Sequence, residues 1–168
     1  MKILLFLLPF ALMAADNPQP KIAQEVRHQL LSLPYYNVFD DLAYRVDGTR
    51  VTLFGQVVRP LLKDEAASAV KKIEGVTAVD NQIEILPVSG NDQQLRLALF
   101  HAIYSRPELQ RYAIAAVPAI HIIVKNGNAT LLGSVSSQAD KNIAGIAASG
   151  VPGVFKVANG LMVENSAG

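Results

Sequence analysis

Val51-Thr52-Leu53-Phe54-Gly55-Gln56-Val57 is followed at fixed distances by Gly75-Val76, Val79 and Asn81, and the same skeleton returns 78 positions later. Gly55 maps to Gly133, Gly75 to Gly153, Val76 to Val154, Val79 to Val157 and Asn81 to Asn159, with no gap in the interval. The chain is therefore a tandem repeat, and the fold to be read is that of one unit used twice. Within the stretch, Val51 and Leu53 alternate with Thr52 and Gln56 as in a half-buried strand. Gly55 stands where a side chain is expected, which predicts a bulge or a close backbone approach.

Upstream, Val38, Leu42, Tyr44 and Val46 lead into the hairpin signal Asp47-Gly48, so a strand ends at Val46. Before it, Ile22, Val26, Leu30 and Leu33 lie at helical spacing until Pro34 halts the pattern. Downstream, Pro60 opens a segment in which Leu62, Ala66, Ala69, Val70 and Ile73 face away from Asp64, Glu65, Ser68, Lys71 and Lys72. This is an amphipathic helix stopped at Gly75. Val76 to Leu86 then alternates as a strand, turned or kinked at Asp80-Asn81 and closed by Pro87. The second unit repeats the order. Leu95, Leu99 and Ile103 restate the first helix at an offset of 73, with His28, Ser32 and Pro34 recurring as His101, Ser105 and Pro107. The change of offset to 78 implies five extra residues between Pro107 and the next strand. Ala119 to Val124 runs into Asn126-Gly127, Leu131 to Val135 carries Gly133, a helix covers about Ser137 to Ser149, and Val154 to Val163 closes the unit.

The expected fold class is α+β, with two tandem αββαβ units, each a three-stranded mixed sheet packed against two helices. The divisions are a signal peptide at 1–15, a flexible tail at 16–20, units at 21–87 and 92–165 joined by a linker at 88–91, and a tail at 166–168. Each unit is small enough for its own core to be marginal, so the two are expected to pack on each other.

Composition narrows the function classes. A hydrophobic content of 51% with 17% charged residues describes a globular chain of 168 residues. Met1-Lys2 followed by the apolar run Ile3 to Ala15 has the form of a cleavable secretory signal, too short to span a bilayer, and predicts a periplasmic protein. There is no cysteine, hence no disulfide framework and no site for lipid attachment near the cut. Removing Lys2 with the signal leaves a formal charge near zero, which gives no electrostatic basis for nucleic acid. Residues 21–87 hold eight Lys and Arg against nine Asp and Glu, a net of −1, whereas residues 91–165 hold six against four, a net of +2.

A strand pair carrying a glycine, a helix of alanines and charges, and then Gly-Val-x-x-Val-x-Asn before a last strand resembles the BON domain. The motif reads Gly75-Val76-Thr77-Ala78-Val79-Asp80-Asn81 in one unit and Gly153-Val154-Phe155-Lys156-Val157-Ala158-Asn159 in the other. The resemblance implies a periplasmic, non-enzymatic protein of envelope maintenance or osmotic stress, whose relatives bind phospholipid surfaces. In the motif itself, Gly75 and Gly153 are expected to stop helices with positive φ. Val76 and Val79 are expected to fill core and Asn81 to bond local backbone, with Val154 and Asn159 at the equivalent motif positions of the second copy.

No nucleophile with a base, phosphate loop or metal cluster is present, so no catalytic residue, metal ligand or cofactor is assigned. His28 and His101 occupy equivalent helix positions without further ligands at binding spacing, and read as solvated. His121, inside Ile120-His121-Ile122-Ile123, reads as a hydrogen-bonded histidine at a strand edge. The informative comparison is between the alanine-rich helices. Glu65 and Ser68 of the polar face become Ile143 and Ile146. Leaving two isoleucines in water forgoes about 1.5 to 3 kcal/mol each relative to burial. Their expected partner is the first repeat, a second subunit, or an anionic phospholipid surface with Lys141 and Lys156 as headgroup contacts. The alternative function is that of a periplasmic chaperone or adaptor for an envelope or secretion complex, with an envelope protein as partner.

Overall fold

The protein's structure, a computed structural model, describes residues 19–164. The expected signal peptide and the C-terminal tail lie outside the described residues. The first unit runs α1 (Gln19–Leu31), β1 (Asp41–Asp47), β2 (Arg50–Val57), α2 (Pro60–Lys71), β3 (Ala78–Asn81) and β4 (Glu84–Ile85). The second runs α3 (Gly90–Tyr104), a 3-10 helix (Pro107–Ala113), β5 (Ile120–Lys125), β6 (Asn128–Val135), α4 (Gln138–Ser149), β7 (Lys156–Asn159) and β8 (Met162–Val163). Two boundaries differ from the sequence reading. Gln19 and Pro20 open α1 instead of belonging to the tail, because a proline in the first helical turn forfeits no hydrogen bond. Gly90 and Asn91 open α3 instead of linking the units, because Ser89 caps the helix with its hydroxyl on the Asp92 amide at 3.1 Å.

In each unit the strand that carries the repeat glycine is central. β2 pairs antiparallel with β1 and parallel with both β3 and β4; β6 does the same with β5, β7 and β8. The sheets are the expected α+β arrangement, with the third strand position divided into two short strands. Helices close one face. Ile22, Val26 and Leu30 of α1 and Leu62, Ala66 and Val70 of α2 meet Val51, Leu53 and Val57 of β2 in one core. Leu95, Leu99 and Ile103 of α3 and Ala144, Ala147 and Ala148 of α4 meet Ala129, Leu131 and Val135 of β6 in the other.

The repeat motif has a physical reason at each end. Gly55 (φ +113°) and Gly133 (φ +106°) lie where an added Cβ would stand 2.2 Å from the Asp41 carbonyl oxygen and 2.0 Å from that of Ala119. The close approach expected of Gly55 is thus made by the neighbouring strand, and the register there is continuous, with Leu42 opposite Gly55. Gly75 and Gly153, both at φ +89°, occupy the turns after α2 and α4, a few residues beyond each helix end. Asn81 does more than the local bonding expected. Its Oδ1 accepts from the Ile83 amide at 3.3 Å, and its Nδ2 donates to the Lys63 carbonyl in α2 at 2.9 Å. Asn159 repeats both bonds, to the Leu161 amide at 3.4 Å and the Lys141 carbonyl at 2.7 Å. Each asparagine therefore ends one short strand, starts the next and ties both to the helix above.

The units exchange side chains across their junction. Val38, in the loop before β1, is buried in the second core, and Phe39 packs against it; Val117, before β5, packs on the first core. The Ile122 amide on the outer edge of β5 donates to the Val38 carbonyl at 2.8 Å. Lys125 of β5 forms an ion pair with Glu84 of β4. The five extra residues of the second unit fall in the segment containing the 3-10 helix, whose Leu109 and Tyr112 are buried.

Candidate functional site

The two helices of each unit leave a groove between them, and the two grooves differ in chemistry. In the first unit the groove, about 760 Å³, is lined by Lys21, Glu25, Gln29, Lys72 and Glu74 around Ile22 and Ile73. In the second it is about 450 Å³, and equivalent positions hold Ala98 for Glu25, Ala102 for Gln29, Gly150 for Lys72 and Pro152 for Glu74. Ile146 replaces Ser68 at its edge and Val151 replaces Ile73 at its base. A groove that carries charges of both signs in one copy holds small or apolar residues at the equivalent positions in the other. Its single charged lining residue is Arg106, where the first unit has Leu33.

α4, one wall of this groove, is anchored at its N-terminus. Ser137 caps it with a 3.1 Å bond to the Asp140 amide. The Asp140 carboxylate accepts from the Tyr112 hydroxyl at 2.7 Å and from Arg111, and Tyr112 in turn accepts from the Ser136 amide at 2.8 Å. The equivalent amide of the first unit, that of Val58, donates instead to the Asp40 carboxylate at 2.8 Å. Burial alone would raise the Asp140 carboxyl, but the bonds from Tyr112, Ser137 and Arg111 outweigh it and hold the group below the usual carboxylate range. Gly145, Ser149 and Gly150 lower intrinsic helix propensity; the cap and the packing of Ala144, Ala147 and Ala148 form the helix despite them.

The four residues nominated from the sequence do not form one constellation. Ile146 is 71% exposed at the groove. Ile143 is half-buried and packs on the core of its own unit. Lys141 lies about 140° around the helix from Ile146 at 3.6 residues per turn. Lys156 is exposed at the start of β7, beyond the turn that follows α4. Of the six cations counted in the second unit, Arg96 is buried and donates to the Val124 carbonyl at 2.8 Å, and Arg111 and Lys125 are ion-paired. Arg106, Lys141 and Lys156 have no ion-pair partner among the described residues. Ala98, Ala102 and Arg106 are not among the residues nominated from the sequence; at the offset of 73 they stand where the first unit has Glu25, Gln29 and Leu33, and it is these differences, not the residues the two helices share, that mark the groove.

The histidines lie away from this groove. His28 and His101 are exposed on their helices. His121 sits on the outer edge of β5, as expected, with its Nδ1 2.6 Å from the Asp40 carbonyl. No group of three or more potential metal ligands exists among the described residues, and none of their helices is long and apolar enough to cross a membrane.

No curated protein matches the chain. Among the solved structures that resemble it are two of CdsD, a structural protein of the type III secretion system of Chlamydia trachomatis. One is its C-terminal domain, 12% identical, covering 86% of this chain and 98% of that one with a TM-score of 0.31. The other, also 12% identical with a TM-score of 0.31, covers 86% and 94%. The family profile described as BON domain matches residues 19–87 and 106–165, one segment in each repeat. The gapless Gly-Val-x-x-Val-x-Asn motifs, the duplicated asparagine ties and this match agree: the chain belongs to the BON domain family.

Proposed function

We propose that this is an exported, non-enzymatic envelope protein that binds phospholipid membrane surfaces through the groove between α3 and α4, in envelope maintenance or osmotic stress. Family membership points to an envelope or periplasmic protein. The observation that carries the binding surface is the loss of three charged side chains and one amide from the second groove relative to the first, together with Ile146 left 71% exposed beside it. An exposed apolar helix edge with Arg106 beside it suits the boundary between acyl chains and anionic headgroups. Flotation with vesicles containing anionic phospholipid tests the reading. Wild-type protein should float, more weakly at higher salt, and Ile146→Asp should abolish flotation without unfolding the chain. Unchanged flotation of the folded variant would sink the assignment.

A further inference from the structure

A third groove lies where the repeats meet. Phe39, Val58 and Arg59 from the first unit and Gln93, Leu97 and Phe100 from the second line a cavity of about 480 Å³, within the range of small-molecule sites. Neither unit forms it alone. Its walls are apolar: the rings of Phe39 and Phe100 meet edge-on at 6.3 Å, and Leu97 is left 47% exposed. α3 therefore serves two surfaces, with Gln93, Leu97 and Phe100 one turn apart along one face and Ala98 and Ala102 on the face that meets α4.

The one charged lining residue is a cation. The Arg59 guanidinium lies over the Tyr35 ring at 4.9 Å and has no carboxylate partner among the described residues. The acid whose field reaches it, Asp40, is fully buried, and its two carboxylate oxygens accept from the Val58 amide at 2.8 Å and the Asn37 amide at 3.3 Å. Gln93 accepts from Arg96 through its Oε1 at 3.4 Å, which leaves its amide NH₂ as a donor. A cation and an amide donor in a lining that also holds three large apolar side chains match a molecule with an anionic head and one apolar chain.

We propose that the junction between the repeats binds a single-chain anionic amphiphile, its carboxylate on Arg59 and Gln93 and its chain along Phe39, Leu97 and Phe100. The site is separate from the α3/α4 groove, so failure of either reading leaves the other standing. The test is titration of the ¹⁵N-labelled full chain with dodecanoate below its micelle concentration, followed by NMR. Saturable shifts are expected at Phe39, Gln93 and Leu97 and at the Arg59 side-chain N–H. Arg59→Gln should weaken binding roughly tenfold or more, as loss of a charged hydrogen bond does. Leu97→Glu, at an exposed position, should abolish binding while the amide spectrum stays folded. Dodecanol should bind more weakly than dodecanoate. Absence of saturable shifts, equal binding by Arg59→Gln or by dodecanol, or shifts centred on Ala98 and Ile146 would each overturn the proposal. Flotation of Arg59→Gln with anionic phospholipid vesicles should match wild type; a parallel loss would assign Arg59 to the membrane surface instead.

Discussion

The imidazole Nδ1 of His121 lies 2.6 Å from the backbone carbonyl oxygen of Asp40, across the junction of the repeats, and its ring stacks on Tyr36 at 5.6 Å between centroids. Burial pushes the imidazole below its ordinary range; the Asp40 carbonyl bond and the charges of Asp41 and Asp40 oppose it. A histidine with a lowered native pKa contributes stability that is full above about 6.5 and is lost as pH falls below that value. Asp40 and Asp41 are both pushed up by burial, so their contribution has the opposite sign: it is present at low pH and lost as pH rises through their raised values. Between about pH 7.5 and 5.5 the thermal midpoint should therefore fall more in wild type than in His121→Asn. Equal slopes in the two proteins would remove His121 from the account.

Gly55→Ala and Gly133→Ala should each destabilise by about 2 kcal/mol or more, because both need a positive φ and both would drive a methyl group into a backbone oxygen. Chemical denaturation of the two variants measures this. Midpoints within error of wild type would show that the strands separate at no cost.

Asn81→Ala and Asn159→Ala each remove two side-chain bonds, one to a helix carbonyl that keeps its intrahelical partner and one to the amide between two short strands, and should cost about 1 to 3 kcal/mol apiece. Amide exchange should quicken at Ile83 in the first variant and at Leu161 in the second, whose amides lose their side-chain acceptors. A substitution in one repeat that left its own amide protected would argue against the ties.

Ile143 and Ile146 should separate cleanly. Ile146→Asp, at an exposed position, should change stability by no more than about 0.5 kcal/mol. Ile143→Asp places a charge against the second core and should cost several times as much. Comparable melting temperatures for the two variants would contradict the placement of Ile143.

Much of the fold was legible because duplication supplies an internal ruler. Gly55 with Gly133 and Asn81 with Asn159 each announce one geometry twice, and the hairpin dipeptides Asp47-Gly48 and Asn126-Gly127 locate the antiparallel pairs. The long reach of the asparagine Nδ2 to the helix carbonyl was not legible, since 18 residues separate the partners and no local pattern marks the pair. At the candidate surface, Ile146 was found because a position of known exposure changed character. Its sequence partner Ile143 misled, because Glu65 is itself only half-exposed and the equivalent side chain can turn toward the core. The junction was hidden for a different reason. Val38 is an ordinary apolar residue in a loop, and only the fold shows that it completes the neighbouring unit's interior.

The bond from Ile122 to the Val38 carbonyl has a consequence for assembly. An outer strand such as β5 presents unpaired amides that can template another chain. Here the preceding repeat covers that edge with its own loop, so the duplication shields the second sheet from self-association. Cut free of the first repeat, the second would offer a bare β5 margin and an emptied Val38 socket, which are the ingredients of edge-to-edge polymers.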